Sequence, residues 1–311
     1  MISVCIPVYN MEKTIARTLE SCLVQIPDDD VEYILLDNAS TDTTIKIATS
    51  FLNKIHNFKI IRNEFNVGAY GNHNLCIKYA KNEWIKFLHG DDELLPETIN
   101  TLKNYLSSDK VNFIFFDYVG NKYYNKFEKS HLFINNSLAR LLILYGNFIG
   151  TPTTTIFRKS AFENIGLFDL DLNPASDADA FFRLSHKYGG LFLNQKIVKI
   201  DDDPFDGYDS YEKNRLMFLK NAFLQLDKWK QLNTNVIDNI NWRVIYKNES
   251  FRFYDASFKL ILRFKFKLFF ELLIILRKKN VLFYSLFYYL KSKFKGINSF
   301  EIRNSYWYNN Y

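Results

Sequence analysis

Short runs of β-branched and aromatic residues alternate with segments of helical periodicity along residues 1–120. This alternation is typical of βα units, which build a mostly parallel sheet flanked by helices. We therefore predict an α/β fold for this part of the chain. The predicted strands span residues 3–8, 31–36, 58–61, 84–88 and 112–116. The predicted helices are one capped by Asn10 and three more at residues 43–55, 69–80 and 96–106.

The rest of the chain departs from this regular alternation, and its last part predicts a separate C-terminal module. Between residues 121 and 207 the elements are less evenly spaced. They are a strand predicted at 153–157 and helices predicted at 137–145 and 177–188. Beyond residue 207 the sequence becomes helical, aromatic and basic. We predict one domain over residues 1–207, in two halves that meet near residue 120, and a C-terminal α-helical extension over residues 208–311.

The net charge is divided unevenly between these two parts. Residues 1–207 carry 21 Lys and Arg against 26 Asp and Glu, a net charge of −5. Residues 208–311 carry 19 against 8, a net charge of +11. A basic segment attached to an acidic body indicates an anionic partner, which is either a membrane surface or a nucleic acid.

The basic segment has the periodicity of amphipathic helices. Lys259, Arg263, Lys267 and Glu271 recur every four residues and would form one polar stripe among Leu, Ile and Phe side chains. Such helices can lie among anionic headgroups, so we predict membrane-surface contact through residues 258–296. The alternative is that they pack on the rest of the chain, on each other or in an oligomer contact. No nucleic acid is expected as a partner, because aliphatic stripes replace a groove of stacking aromatic and Arg side chains.

Three further features predict a cytoplasmic protein, located at the inner face of the membrane if the basic helices bind there. The N-terminus enters a strand-like run without a basic leader. The apolar runs near the C-terminus, 268–276 and 281–290, are shorter than the roughly 20 residues that a spanning helix needs. Cys5, Cys22 and Cys76 lack partners at metal-binding spacing, so we expect reduced core residues.

Polar residues follow the carboxyl ends of three predicted strands, where open α/β sheets bind their ligands. Asn10 follows the first strand, Asp37 the second, and Asp91 with Asp92 the fourth. The adjacent carboxylates predict a site for Mg²⁺ or Mn²⁺, which would complete its shell with phosphate oxygens and water. Alternatively, residues 89–92 form only a solvated turn. No G-x-x-x-x-G-K-[ST] or G-x-G-x-x-G motif is present, which argues against P-loop and Rossmann dinucleotide enzymes.

Five ordered motifs give the chain a resemblance to a known family. They are VCIPVYN at 4–10, LDNASTD at 36–42, NVG at 66–68, FLHGDD at 87–92, and GLFD at 166–169 followed by Asp177. Over about residues 1–205 this series resembles family 2 glycosyltransferases, which have the GT-A fold, a Rossmann-like sheet flanked by helices. The resemblance implies that residues 1–120 form the nucleotide-sugar half of a catalytic domain and residues 121–207 its acceptor half.

The resemblance also implies roles for individual residues. Pro7, Tyr9 and Asn10 would line the base and ribose, and Asp37 would accept a hydrogen bond from the pyrimidine ring. Asn66 and Gly68 belong to a further nucleotide-sugar motif. Asp91 and Asp92 match the family's DxD region, in which one carboxylate reaches the ribose and another holds the metal. Asp177 matches the family's catalytic base.

Four positions depart from the family pattern. Asn38 stands where a second Asp is common, and His89 where an extended DxDD motif begins with Asp. Ser176 replaces the usual Glu, which leaves Asp177 or Asp179 as the base; on a helix their side chains point about 200° apart, so only one can face the crevice. His73 stands where an Arg often assists the phosphates, and it fits a structural role equally.

The implied activity is inverting, metal-dependent transfer of a sugar from a UDP- or dTDP-sugar donor to a saccharide acceptor. If the basic helices meet a membrane, the acceptor is a lipid-linked saccharide, as in bacterial O-antigen, lipooligosaccharide or capsule assembly. The alternatives are transfer to polyprenyl phosphate and a catalytically silent nucleotide-sugar-binding scaffold. The segment 201–204, Asp-Asp-Asp-Pro, has metal-like composition, but it predicts an exposed turn. The alternative for this segment is a role in acceptor binding or as a lid.

Overall fold

The computed structural model divides the chain into two compact units, Met1–Asp203 and Pro204–Tyr311. It describes residues 1–119, 129–134, 136–201 and 221–232, together with positions 240, 242, 245–246, 270, 273–274 and 276–278. In the second unit, residues 221–231 are helical. Most of the amphipathic segment 258–296 and the boundary predicted at residue 207 lie outside the described residues, so both remain predictions.

A mixed sheet of nine strands forms the centre of the first unit. The strands are β1 (Ile2–Val8), β2 (Val31–Asp37), β3 (Phe58–Arg62), β4 (Trp84–Phe87), β5 (Glu93–Leu94), β6 (Phe113–Val119), β7 (His131–Phe133), β8 (Thr155–Arg158) and β9 (Gly190–Lys199). Their order is β3-β2-β1-β4-β8-β6-β9-β5, with β7 also paired to β9. Strands β1 to β4 are mutually parallel, whereas β8 runs antiparallel to both of its neighbours.

Among the described residues of the first unit, seven α-helices connect the strands. They are α1 (Ile15–Leu23), α2 (Thr44–Thr49), α3 (Ala69–Tyr79), α4 (Thr98–Leu106), α5 (Ser137–Tyr145), α6 (Lys159–Asn164) and α7 (Ser176–Tyr188). Two short 3₁₀ turns, Pro152–Thr154 and Leu170–Leu172, precede β8 and α7. No helix within the described part of the chain is long and apolar enough to cross a bilayer.

The position of β1 at the middle of the parallel strands explains its composition. All seven of its residues are buried, as expected for a strand that is covered on both faces. Its register pairs Val8 with Asp37 of β2 and Cys5 with Phe87 of β4, so the three strands end at one edge of the sheet. All three cysteines are buried and free, as predicted.

The predicted α/β fold is confirmed, with three local differences. Helix α1 begins at Ile15, and Asn10 does not cap it but takes a left-handed backbone conformation with φ +54° in the turn after β1. Helix α2 ends at Thr49 instead of continuing to residue 55. Sequence periodicity also missed α6 and the strands β5, β7 and β9; β9 changes register against β6 at Asp117, where a bulge breaks the alternation of buried and exposed residues.

Candidate active site

The predicted nucleotide-binding residues of β1 lie at the carboxyl edge of the sheet. Pro7 is buried within the strand, while Tyr9 and Asn10 are exposed beyond its end. The Asn10 side chain accepts a hydrogen bond from the backbone N–H of Thr41 at 2.8 Å, and the Asn10 N–H donates to Ser40 Oγ at 2.9 Å. These bonds join the turns that follow β1 and β2.

Asp37 is fully buried at the end of β2. Its two carboxylate oxygens lie 3.2 and 3.1 Å from the Ser40 N–H, and Oδ2 is 3.2 Å from Nε of Arg62. In this arrangement Asp37 holds the turn after β2. Its predicted contact with a pyrimidine would require the carboxylate to become accessible, and that contact remains a prediction.

Asn38 is the centre of a set of amide hydrogen bonds, which we call the asparagine network. Its Nδ2 donates to Oδ1 of Asn66 at 2.9 Å and to the Gly68 carbonyl at 3.2 Å. Its Oδ1 accepts from the Val67 N–H at 2.9 Å and from Asn63 Nδ2 at 3.1 Å. Because an amide both donates and accepts, Asn38 satisfies partners that a carboxylate could not.

The turn that the asparagine network holds leads directly into α3. Gly68 precedes the helix with φ +80°, a conformation that strongly favours glycine. Asn66 and Gly68 are both exposed, so the turn is open to a ligand. Their predicted role in nucleotide-sugar binding remains a prediction.

The segment His89–Asp92, which we call the acidic loop, follows β4. Ligand atoms of His89, Asp91 and Asp92 lie within 4.8 Å of one another. Asp92 is 3% exposed, and burial raises the pKa of its carboxyl; His89 opposes this rise and the Asp91 charge adds to it. Carboxylate oxygens with one imidazole nitrogen are a donor set that divalent cations accept, so these three residues fit a metal site.

Contacts from α1 and from the end of β9 hold the acidic loop. Thr14 Oγ1 donates to the Gly90 carbonyl at 2.7 Å, and Arg17 donates to the Asp91 carbonyl at 2.7 Å. Arg17 also forms an ion pair with Asp201, whose N–H donates to Oδ1 of Asp92 at 3.1 Å. Asp201 thus belongs to the surroundings of the candidate metal site, instead of the exposed turn that the sequence predicts.

A second support comes from beneath the acidic loop. The His89 N–H donates to Oγ1 of Thr153 at 3.1 Å. Lys86, which is fully buried in β4, donates to the carbonyls of Thr153 and Phe87. A Cβ on Gly90 would approach Cγ1 of Val8 to 2.9 Å, so a larger residue there would displace the loop.

His73 is buried behind the acidic loop. Its Nδ1 lies 2.8 Å from the Ala69 carbonyl, and its Nε2 lies 3.0 Å from Nε2 of His89. Burial, together with a smaller effect of His89, lowers the pKa of His73 to about 3, and the hydrogen bond to the Ala69 carbonyl opposes this shift. His73 therefore contacts the candidate metal site through His89, while its predicted contact with phosphate remains untested.

Asp177 lies in the first turn of α7 and contacts Tyr70 of α3. Burial raises the pKa of its carboxyl to about 6, and hydrogen bonds from the Ala178 N–H and the Tyr70 hydroxyl oppose that rise. The Tyr70 hydroxyl also lies 3.1 Å from the Pro174 carbonyl oxygen, so its single hydrogen is donated to only one of these two acceptors at a time. A carboxylate with a pKa near neutrality is suited to exchange a proton during a reaction.

Asp179, the other candidate base, has a different environment. It is buried and accepts a 2.7 Å hydrogen bond from Nε of Arg183, which also donates to the carbonyls of Ile165 and Leu167. These contacts fasten α7 to the loop after α6. The geometry favours a structural role for Asp179 and leaves Asp177 as the candidate base.

Sequence reasoning missed Tyr70 and Arg17, and it predicted an exposed turn around Asp201. The spacing of Tyr70 and His73, three residues apart on one helix, carried a weak signal that both face the same neighbour. Nothing in the sequence near Arg17 indicated its partners.

Comparison with known proteins identifies the family. The model of glycosyl transferase family 2 matches residues 3–166, which is more than half of the chain. The chain therefore belongs to that family. The truncated TarS of Staphylococcus aureus, solved in complex with UDP-GlcNAc, superposes with a TM-score of 0.60 at 21% identity, covering 81% of this chain and 73% of that one. This likeness confirms the predicted GT-A fold.

Two relatives found by sequence have higher sequence identity to this chain than TarS does, but the alignments cover only part of each protein. An uncharacterized protein of Mycobacterium tuberculosis is 32% identical over 215 residues, which are 63% of this chain and 66% of the relative. The Escherichia coli UDP-Glc:α-D-GlcNAc-diphosphoundecaprenol β-1,3-glucosyltransferase WfaP is 35% identical over 120 residues, 38% of this chain and 46% of WfaP. The chain thus spans less than two thirds of the length of either relative.

Proposed function

We propose that this chain is an inverting glycosyltransferase that moves a sugar from a UDP- or dTDP-sugar to a hydroxyl group of a saccharide acceptor. Membership of glycosyl transferase family 2 supports transfer from a nucleotide sugar. The three carboxylates Asp91, Asp92 and Asp177, which come from distant parts of the chain, supply the groups that this chemistry needs.

The observation that carries the proposal is a continuous path of side chains from Asp177 to the acidic loop. The Tyr70 hydroxyl interacts with Asp177, and the Tyr70 ring lies 5.6 Å from the His73 ring. His73 contacts His89, whose Nδ1 is 3.6 Å from Oδ2 of Asp92. His89 also acts electrostatically on Asp177. The candidate base and the candidate metal site therefore belong to one cluster.

The reaction follows from the chemistry of these groups. The acceptor oxygen would form a bond to the anomeric carbon of the donor while the bond from that carbon to the diphosphate breaks. The acceptor proton passes to the Asp177 carboxylate, and the nucleoside diphosphate leaves on the opposite face, so the anomeric centre inverts. A divalent cation held by Asp91 and Asp92 would neutralise charge on the departing diphosphate.

A lipid-linked acceptor in bacterial surface-polysaccharide assembly is part of the proposal. WfaP, by its name, acts on a sugar attached to diphosphoundecaprenol. The net charge of +11 over residues 208–311 would favour an anionic membrane at which such lipids are presented. We therefore expect weaker transfer when the acceptor is free in solution than when it is embedded in anionic vesicles.

The test is a panel of UDP- and dTDP-sugars with Mn²⁺, assayed against free and lipid-linked saccharides, with product anomers assigned by NMR. We expect transfer with inversion, which Asp92→Asn should abolish and Asp177→Asn should lower by about 10² to 10⁴. Binding without turnover across the whole panel would favour a silent scaffold. Transfer to polyprenyl phosphate that is unaffected by Asp177→Asn would favour the other alternative, because a phosphate acceptor needs little base catalysis. A retained anomeric configuration would refute the proposed mechanism.

A further inference from the structure

The contact between His73 and His89 determines which nitrogen of each ring carries hydrogen. A carbonyl oxygen only accepts hydrogen bonds, so Nδ1 of His73, 2.8 Å from the Ala69 carbonyl, is the protonated nitrogen. In the neutral ring Nε2 then carries a lone pair. The Nε2 of His89, 3.0 Å away, must donate to it.

This assignment leaves a lone pair on Nδ1 of neutral His89. That nitrogen lies 3.6 Å from Oδ2 of Asp92, another electron-rich atom. Two lone pairs at this separation repel each other unless a cation lies between them. Both atoms therefore present lone pairs that a single metal ion could bind.

The position of the His73 ring is fixed by its surroundings. It packs among the rings of Tyr70, Phe87 and Phe168, with centroids 5.6, 4.8 and 5.6 Å away. This aromatic packing leaves the neutral imidazole favoured over a charged one. His73 can therefore hold the orientation and tautomer of His89 without contacting the ligand itself.

We propose that Nδ1 of His89 is a ligand of the divalent cation held by Asp91 and Asp92, and that His73 is the positioning residue that keeps this nitrogen available. The inference rests on the metal site in the proposed function and adds a nitrogen to it. A histidine ligand whose other nitrogen is hydrogen-bonded to a fixed partner is a recurrent arrangement at metal sites.

The nitrogen ligand has a consequence for the choice of metal. Mg²⁺ prefers an all-oxygen octahedral shell, whereas imidazole suits transition-metal ions better. The ratio of Mn²⁺ affinity to Mg²⁺ affinity should therefore be high at this site. It should be lower in a variant whose loop carries a third carboxylate in place of His89. His89→Asp, which restores the residue common in the family, provides that comparison.

The test uses Mn²⁺ as a probe of the full chain in nitrogen-free buffer without an affinity tag. Electron spin echo envelope modulation of the bound ion should show coupling to a directly bound ¹⁴N nucleus, and His89→Asp should remove it. Titration should show the ratio of Mn²⁺ to Mg²⁺ affinity falling roughly tenfold in His89→Asp. Bound Mn²⁺ without nitrogen coupling in the native chain would overturn the proposal, as would the absence of Mn²⁺ binding.

A matched pair of variants tests His73. Gln at this position retains an acceptor oxygen near the place of Nε2, whereas Phe fills the aromatic surroundings without an acceptor. We expect His73→Phe to weaken Mn²⁺ binding about tenfold or more and His73→Gln to retain most of it. Thermal unfolding of each variant separates this effect from a loss of folding, and equal Mn²⁺ affinities in folded variants would overturn the role of His73.

The two proposals fail separately. Sugar transfer that persists while nitrogen coupling is absent would leave the proposed function standing and remove His89 from the metal shell. Nitrogen coupling without transfer on the donor panel would leave the metal site standing and remove the enzymatic activity.

Discussion

Asn38 donates a 2.9 Å hydrogen bond from Nδ2 to Oδ1 of Asn66, and Asn66 uses the same oxygen to accept the Gly68 N–H at 2.8 Å. Asn38 also accepts the Val67 N–H, which fixes the orientation of its amide. Asn38, which stands where a second Asp is common in the family, therefore uses both its donor and its acceptor atoms to hold the turn before α3.

Replacing Asn38 by Asp should destabilise the chain. The carboxylate cannot donate, so Oδ1 of Asn66 and the Gly68 carbonyl lose the hydrogen bond from residue 38 and face a negative charge. We expect the free energy of unfolding to fall by about 1–3 kcal/mol, measured by urea denaturation. Nucleotide binding should weaken with it, because the turn that carries Asn66 and Gly68 loses its support.

Asn66→Asp is the matched control. The described hydrogen bonds of the Asn66 side chain involve only Oδ1, which a carboxylate reproduces. This variant should unfold at nearly the native urea concentration. Equal losses of stability in the two variants would show that added charge, and not the lost donor, is responsible.

The raised pKa of Asp177 predicts the pH dependence of transfer. A base with a pKa of about 6 is progressively protonated below that pH, so kcat/KM should fall about tenfold per pH unit there. Asp177→Asn should lower the rate by about 10² to 10⁴ and remove this acidic limb from the residual activity. Steady-state kinetics in overlapping buffers from pH 4.5 to 8.5 would measure both effects.

The same carboxylate should make Asp177→Asn a stabilising substitution. Because folding raises the pKa from an ordinary value of 3.8 to about 6, the folded chain holds the proton more tightly than the unfolded chain. The free energy of unfolding therefore declines as pH rises between these values and stays at the reduced level above them. The free energy of unfolding of Asp177→Asn should exceed that of the native chain by about 1–3 kcal/mol at pH 7.5. The difference should be smaller at pH 4.5, where the native carboxyl is protonated.

Tyr70→Phe should move the acidic limb of the pH profile to higher pH. The Tyr70 hydroxyl stabilises the ionised form of Asp177 and so lowers its pKa, whereas burial raises it. Removing the hydroxyl should therefore raise the pKa of Asp177 further. Tyr79→Phe is the control, since Tyr79 lies on the same helix and is 42% exposed. An unchanged limb in Tyr70→Phe, with activity retained, would mean that Tyr70 does not influence the base.

The parallel part of the sheet could be predicted because its strands are buried on both faces. The run from Ile2 to Val8 is almost entirely apolar, and its neighbours β2 and β4 are equally buried. Strand β9 could not be predicted, because Asn194, Gln195 and Lys196 interrupt it near a bulge. Strand β5 has only two residues and carries no periodicity.

Part of the site was predictable from the positions of residues relative to the strand ends, and Asp177 was predictable from its motif. Asp37, Asp91 and Asp92 follow strands that end at one edge, so the topology alone brings them together. Tyr70 and Arg17 acquire their roles from partners 104 and 74 positions away, Pro174 and Asp91. Such contacts arise from the packing of helices on the sheet and leave no local pattern in the sequence.

Asp179→Asn should reduce stability without changing the pH profile. The substitution removes the charged partner of Arg183, whose side chain is only 18% exposed, and so leaves a cation poorly compensated. We expect the free energy of unfolding to fall by about 1–3 kcal/mol, while the acidic limb of kcat/KM stays near pH 6 because Asp177 is intact. Asp171→Asn, at an exposed position in the turn before α7, should alter neither quantity. If the limb disappears in Asp179→Asn and persists in Asp177→Asn, the base is Asp179 and the ion pair with Arg183 must open during the reaction.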